Sequence, residues 1–275
     1  MSDVGMPRSL ALVGAGKMGG AMLEGWLETG LPGPAVSVYD PDVPDAIAAL
    51  ADRHRLIVNP PADARVQPDV LVLAIKPQML EAAAPTIRPL IGEGTLLVSV
   101  LAGKTVANLK AALPEAEAVV RAMPNLPASI GKGATGAFAN AAVLDVQRAV
   151  ADALLRASGL VEWVEDEALI DAVTGLSGSG PAYVFHMVEA MAEAGVAAGL
   201  PADLAMRLAR ATVAGAGALL ADSPLPAATL RQNVTSPGGT TAAGLAVLMR
   251  EEGGLPPLMR ETVAAAKTRA EELSG

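Results

Sequence analysis

The chain has 275 residues, 52% hydrophobic but only 2% aromatic, with a net charge of −9 and no cysteine. That size suggests about two domains with aliphatic cores and excludes a disordered chain. The missing cysteine excludes disulfides, thiolate zinc sites and a Cys nucleophile, two histidines leave no basis for a metal site, and the absence of a Lys/Arg block argues against a nucleic-acid partner.

The N-terminal stretch before Leu10 has no apolar run and does not read as a signal peptide. Leu10–Val13 is a continuously apolar strand, as in a parallel sheet covered on both faces. A helix over Lys17–Thr29 follows, stopped by Gly30 and Pro32. Val36–Tyr39 is a second strand ending at Asp40, and a helix covers Asp45–Arg53. Val70–Ile75 is a strand broken by Lys76-Pro77. A helix over Met79–Pro89 is expected to be kinked or shortened by Pro85. Strands are expected at Leu96–Val100, Ala118–Ala122, Thr135–Phe138 and Leu160–Val164, with a helix over Val143–Ser158. This alternation indicates an α/β fold with a doubly wound, Rossmann-type sheet over residues 1–164. Beyond about residue 165 the pattern is all-helical, with helices over Pro181–Gly199, Pro201–Ala221, Thr240–Glu251 and Leu258–Leu273, so 165–275 is read as a second, helical domain. Ala182–Leu200 and Leu204–Ala221 are apolar, but charged residues such as Glu189, Glu193, Arg207 and Arg210 argue against membrane spans, and the cytoplasm is the expected location.

Gly14-Ala15-Gly16-Lys17-Met18-Gly19 fits G-x-G-x-x-G and lies where a strand gives way to a helix. There the first glycine permits the tight turn, the second lets backbone approach a pyrophosphate, and the third lets helix pack on strand. Asp40 follows Gly19 by about 20 residues, the spacing of a carboxylate that binds the ribose 2′-hydroxyl. The loop with Gly14, Gly16, Lys17, Met18 and Asp40 is therefore the candidate dinucleotide site. A carboxylate repels a 2′-phosphate, so Asp40 leans toward NADH, and NADPH needs basic or hydroxyl groups from elsewhere in the fold.

Four more motifs stand in order along the chain: Ala74-Ile75-Lys76-Pro77, Arg121-Ala122-Met123-Pro124-Asn125, Ser177-Gly178-Ser179-Gly180-Pro181-Ala182-Tyr183 and Val234-Thr235-Ser236-Pro237-Gly238-Gly239-Thr240-Thr241. With the glycine loop, they resemble the pyrroline-5-carboxylate reductase family over nearly the whole chain. The resemblance implies reduction of 1-pyrroline-5-carboxylate to L-proline with NADPH or NADH, in homodimers with interlocked helical domains that assemble into decamers. Family members often carry Ser, Thr or Asn where this chain has Asp40. Leu56–Ala64 looks less typical of the family, and no cofactor contact is assigned there.

The resemblance places Thr241 beside the imine nitrogen, as the one catalytic candidate, and the backbone of Gly238, Gly239 and Thr240 around the substrate carboxylate, with Ser236 in the same turn. Two glycines at a helix start expose main-chain N–H groups that suit an anion; the plainer alternative is a Thr N-cap with glycines serving only the turn. Ala74, Ile75, Lys76 and Pro77 are placed along the nicotinamide ribose, against the alternative of a solvated lysine and a proline stop. Ala102 and Asn125 follow two other strands, where Asn125 either orients a ligand or closes a turn. Ser179 is a lesser substrate candidate in a stretch whose small residues also suit helix packing. His54 is read as solvated, and His186 as a paired or interface residue.

Two other functions are weighed. A beta-hydroxyacid dehydrogenase shares the cofactor fold, but its catalytic lysine and asparagine positions are Val184 and Val188 here. A non-catalytic nucleotide-sensing protein would carry a degraded final turn, whereas Thr240-Thr241 is intact.

Overall fold

In the computed structural model, which describes residues 5–274, one sheet holds β1 (Leu10–Val13), β2 (Val36–Tyr39), β3 (Ile57–Val58), β4 (Val70–Leu73), β5 (Leu96–Ser99), β6 (Val119–Met123), β7 (Gly133–Ala139) and β8 (Gly159–Trp163). Their spatial order is β3-β2-β1-β4-β5-β6-β7-β8. Only the β6–β7 pair is antiparallel. The first six strands carry the strand order of dinucleotide-binding doubly wound sheets.

Side chains alternate between the two faces of the sheet, and each face has its own core. On one face Leu10, Leu12, Val36, Val38, Val70 and Val72 pack against Met22, Leu23 and Trp26 of α1 (Lys17–Glu28), Ile47 of α2 (Asp45–His54) and Leu154 of α5 (Asp145–Arg156). On the other, Ala11, Val13, Leu71 and Leu73 meet Leu80 and Ile87 of α3 (Leu80–Ile87) and Leu109 of α4 (Val106–Ala112). Trp26 is fully buried and donates its indole N–H to the Leu154 carbonyl at 2.9 Å, which joins α1 to α5 without leaving its one polar atom unpaired.

The chain forms two compact units. One runs to Ser179 and also takes in the chain from Ala266 onward; the other is Gly180–Ala265. The first unit thus reaches past the boundary expected at 164/165. The reason is α6 (Leu169–Val173) and a π-helical turn at Thr174–Gly178, which pack on the sheet. A methyl on Gly136 would lie 2.7 Å from Val173, and one on Gly178 would lie 2.7 Å from Met123, so small residues allow that contact.

The second unit holds α7 (Gly180–Ala197), α8 (Ala202–Asp222), α9 (Ala227–Asn233), α10 (Thr240–Leu248) and the start of α11 (Leu255–Ser274). Gly199, at φ +100°, turns the chain between α7 and α8. Their contact uses small side chains: Ala192, Ala205 and Ala209 are buried, and a methyl on Gly195 would stand 3.2 Å from Ala205. Phe185, Met191, Leu208, Leu219 and Leu220 remain exposed on these helices. Among the described residues α8 alone is long and apolar enough to cross a membrane by length and composition.

Several expected elements shift. The strand expected over Val70–Ile75 ends at Leu73: Ala74 makes a last bond to Val13 O, and the backbone then turns into a 3-10 turn begun by Pro77 at Pro77–Met79. The helix expected over Met79–Pro89 is shortened to Leu80–Ile87 and accommodates Pro85 within it, with a second 3-10 turn at Arg88–Leu90. Elements β3, α4, α6 and α9 stand in addition to those expected from the sequence.

Candidate active site

Register puts three loops side by side. Val13 is level with Tyr39 on one flank and with Leu73 on the other. The residues that follow, Gly14, Asp40 and Ala74, therefore share the carboxyl edge where the strand order reverses, the usual ligand crevice of such sheets. Gly14 has φ +92°, and a Cβ there would sit 2.8 Å from the Ala74 carbonyl and the Ile75 nitrogen. A Cβ on Gly19 would collide with the Gly14 carbonyl. Both glycines are thus required by the fold itself. Gly16 differs: nothing lies within 4 Å of its would-be Cβ.

Gly16 is the N-cap of α1, and no side chain caps it. The first intrahelical bond comes from Gly20 to Gly16 at 2.7 Å, so the Lys17, Met18 and Gly19 amides precede it. Open space before uncovered amides, with the positive end of the helix dipole behind them, fits a pyrophosphate.

Asp40 is held from two sides. Its carboxylate accepts the Ala15 N–H at 2.7 Å and the Asp42 N–H at 2.9 Å. Asn59, at φ +46°, clamps its main chain, accepting the Asp40 N–H at 3.0 Å and donating to the Asp40 carbonyl at 2.8 Å. A carboxylate has about four acceptor sites, so Asp40 keeps capacity for ribose hydroxyls. Beside it opens a cavity of about 350 Å³, lined among others by Tyr39, Asp40, Asn59, Pro60, Arg65 and Ile75. Burial pushes the Tyr39 phenol above its usual pKa, and Arg65 pulls it the other way. Asn59 and Pro60 belong to the segment Leu56–Ala64, to which no cofactor contact is assigned; the Asn59 turn brings that segment against the end of β2, its N–H donating to Val38 O at 2.8 Å.

The other cofactor candidates also lie on the carboxyl edge. Lys76 is exposed, directly before the 3-10 turn that begins at Pro77. Ala102 is exposed in the turn after β5. Asn125 is fully engaged with the scaffold: its amide N–H groups meet Ser177 O at 3.2 Å and Ser177 Oγ at 3.3 Å, and its oxygen accepts from Ala134 at 2.9 Å. That joins the end of β6 to β7 and the π-helical turn. Ser179 is partly buried at the end of that turn, donating its N–H to Thr174 O at 2.9 Å. Beneath, Arg121 is 3% exposed and paired with Glu167 at 3.2 Å and Asp171 at 3.0 Å. Glu167 also accepts the Val106 N–H at 2.7 Å, so one buried cation ties β6, α4 and α6 together.

The second unit carries the other half of the expected constellation. Gly238 adopts φ +71°, and Gly239 is the N-cap of α10 with no side-chain cap. A methyl on Gly239 would meet Ser236 Oγ, so a larger residue there requires that hydroxyl to rotate away. The first helical bond runs from Ala243 to Gly239 at 3.2 Å, leaving the Thr240, Thr241 and Ala242 amides ahead of it. Thr240 and Thr241 are the first two helical residues and exposed. Neither is the N-cap, so the alternative of a Thr cap does not hold. His186 pairs with Glu189 at 3.1 Å on an exposed helix face, and Val184 and Val188 are both helical in α7.

Comparison with known proteins covers both halves. Residues 167–273 match the family described as pyrroline-5-carboxylate reductase dimerisation, and residues 9–103 match NADP oxidoreductase coenzyme F420-dependent. The pyrroline-5-carboxylate reductase of Pseudomonas aeruginosa is 38% identical over 265 residues, 96% of each chain. Among solved structures, a pyrroline-5-carboxylate reductase from Coxiella burnetii matches with a TM-score of 0.90 and 34% identity, over 98% of this chain and 100% of that one. The Plasmodium falciparum pyrroline carboxylate reductase with NADP bound matches at 0.80 and 26% identity, with the same coverage. Similarity of this extent, running through both compact units, places the chain in the pyrroline-5-carboxylate reductase family.

Proposed function

We propose that the chain reduces 1-pyrroline-5-carboxylate to L-proline, the last step of proline biosynthesis, using NADPH or NADH. The observation that carries the reading is the uncapped turn before α10: a positive-φ glycine, a second glycine as N-cap and two threonines whose hydroxyls cap nothing. Such a turn offers amides to a carboxylate and a hydroxyl to a neighbouring nitrogen, the two polar groups of the substrate. Gly238, Gly239 and Thr240 hold the carboxylate, with Ser236 closing the turn. Thr241 holds the imine nitrogen in place or relays its proton. Ser179 is assigned to the wall of the substrate site.

Gly14, Gly16, Lys17 and Met18 hold the cofactor pyrophosphate, Asp40 the adenosine ribose, and Ala74–Pro77 with Ala102 the nicotinamide end. Asn125 positions these loops through its scaffold bonds. The bound dihydronicotinamide supplies the hydride that reaches the imine carbon. No acid stronger than the solvent is needed, because a protonated imine is already electrophilic; the protein contributes orientation of donor and acceptor.

The exposed apolar faces of α7 and α8 are assigned to a second copy of the chain, in a homodimer that assembles further to a decamer. A cytoplasmic protein without a nucleic-acid or membrane partner accords with the net charge of −9. The deciding experiment is a spectrophotometric assay of pyrroline-5-carboxylate with each reduced cofactor. Substrate-dependent loss of reduced cofactor, with proline as product, is expected; no oxidation of either cofactor at saturating substrate would refute the assignment.

A further inference from the structure

We propose that Arg65 is the residue through which this chain admits a 2′-phosphorylated adenosine, so that it sets the balance between NADPH and NADH. The inference rests on the nicotinamide-cofactor reading above. Arg65 lines the cavity beside Asp40, with its guanidinium carbon 6.0 Å from the centroid of the Tyr39 ring. Its Nε is buried and has no hydrogen-bond partner. Among the described residues no carboxylate pairs with it, Asp40 included, although both line one cavity.

A buried guanidinium N–H without an acceptor is costly, and a turn of the Arg65 side chain that aims its donors at an anion in the cavity removes that cost. Which anion follows from what the neighbours already hold. The pyrophosphate belongs to the uncovered amides of α1, and the adenine ring carries no charge. The remaining anionic group of a nicotinamide cofactor is a phosphate on the adenosine ribose. A planar fork of donors suits such a phosphate better than an ammonium does.

Asp40 does not cancel this effect. Its two oxygens are bound to the Ala15 and Asp42 amides. Its charge is therefore partly balanced by main-chain dipoles and fixed in place, while Arg65 has no such commitment. The ribose faces a tethered anion and a cation that rests on the Tyr39 ring with its Nε unbonded, and the cation decides whether a phosphate is tolerated. This is the basic group from elsewhere in the fold that NADPH requires beside Asp40.

The test titrates the full-length protein calorimetrically with two fragments, adenosine 2′,5′-bisphosphate and adenosine 5′-monophosphate, so that no turnover is involved. In Arg65→Ala the affinity for the bisphosphate should fall about tenfold relative to the monophosphate, and Arg65→Lys should recover part of that ratio. An unchanged ratio, or equal weakening of both fragments, overturns the proposal, the second because it reduces Arg65 to a wall of the cavity. Circular dichroism of each variant separates misfolding from lost recognition. If NADH and NADPH also fail to bind the wild-type protein, the cofactor reading itself falls and takes this proposal with it; if they bind and only the ratio stays fixed, Arg65 alone loses its role.

Discussion

The carboxylate of Asp40 accepts the main-chain N–H of Ala15 at 2.7 Å, so the end of β2 grips the middle of the glycine loop. Asp40 therefore shapes the loop and, in the proposed function, also sets the charge at the ribose. Asp40→Ser should raise the NADPH-to-NADH ratio of kcat/KM about tenfold by removing the repulsive charge. Asp40→Asn keeps an acceptor for Ala15 and should move the ratio the same way while disturbing the loop less. Steady-state kinetics with both cofactors measures it, and a constant ratio in both variants would contradict the role given to the charge.

Gly14 and Gly16 should fail differently when a methyl is added. Gly14→Ala meets a positive φ and the Ala74 backbone at 2.8 Å, so it should cost at least about 1 kcal/mol of stability. Gly16→Ala has room and an ordinary φ of −67°. It should leave the melting temperature near wild type and weaken dinucleotide binding. Thermal unfolding paired with cofactor titration distinguishes the two, and a reversed pattern would count against the cradle.

Thr241 is the second residue of α10, exposed, and not engaged in capping. Thr241→Ala should reduce kcat by about a hundredfold, with cofactor Kd little changed. Thr241→Ser should restore much of the rate. Parallel loss of turnover and cofactor affinity would move Thr241 out of the substrate site.

Arg121 and Arg88 both form ion pairs, with very different surroundings. Arg121 is buried between Glu167 and Asp171, so Arg121→Met strands carboxylates and should cost about 3 kcal/mol in urea unfolding. Arg88 meets Glu115 at 2.6 Å but both are half-exposed, and Arg88→Ala should be close to neutral. Similar losses in the two variants would show that burial is not what gives the pair its weight.

Burial pushes the Asp152 carboxyl up, but bonds from Arg156 at 2.6 Å and from the Trp163 indole at 2.9 Å outweigh it and leave the pKa below its usual value. A carboxyl lowered on folding binds its proton more readily when unfolded. Its contribution to stability is therefore full above about pH 4 and is lost as the pH falls through the lower, folded value. Asp152→Asn should lower the melting temperature at neutral pH, and the gap to wild type should close in acid. A gap that stays constant with pH would assign the loss to geometry alone.

The sheet was legible wherever strands were apolar throughout, as at Leu10–Val13 and Val70–Leu73, because burial on both faces writes itself into composition. Two-residue β3 has too little sequence to carry a period. Helix α4 did have a signal: Thr105 and Asn108 form a reciprocal capping box, but over seven residues with no long apolar stripe. The π-helical turn at Thr174–Gly178 has no periodic signal of its own, because its conformation depends on packing against β6 and β7. In the site, the glycine loop and Asp40 could be recognised from spacing. Asn59 and Arg65 could not, since nothing local says that residues 59–65 fold back onto the end of β2.

The return of the chain from Ala266 onward to the unit that ends at Ser179 has a practical corollary. A protease nick after Ser179 would not release a self-sufficient nucleotide-binding fragment, because the closing piece would leave with the helices. Expressing that half alone calls for retaining the chain from Ala266 onward, not for a stop codon after Ser179.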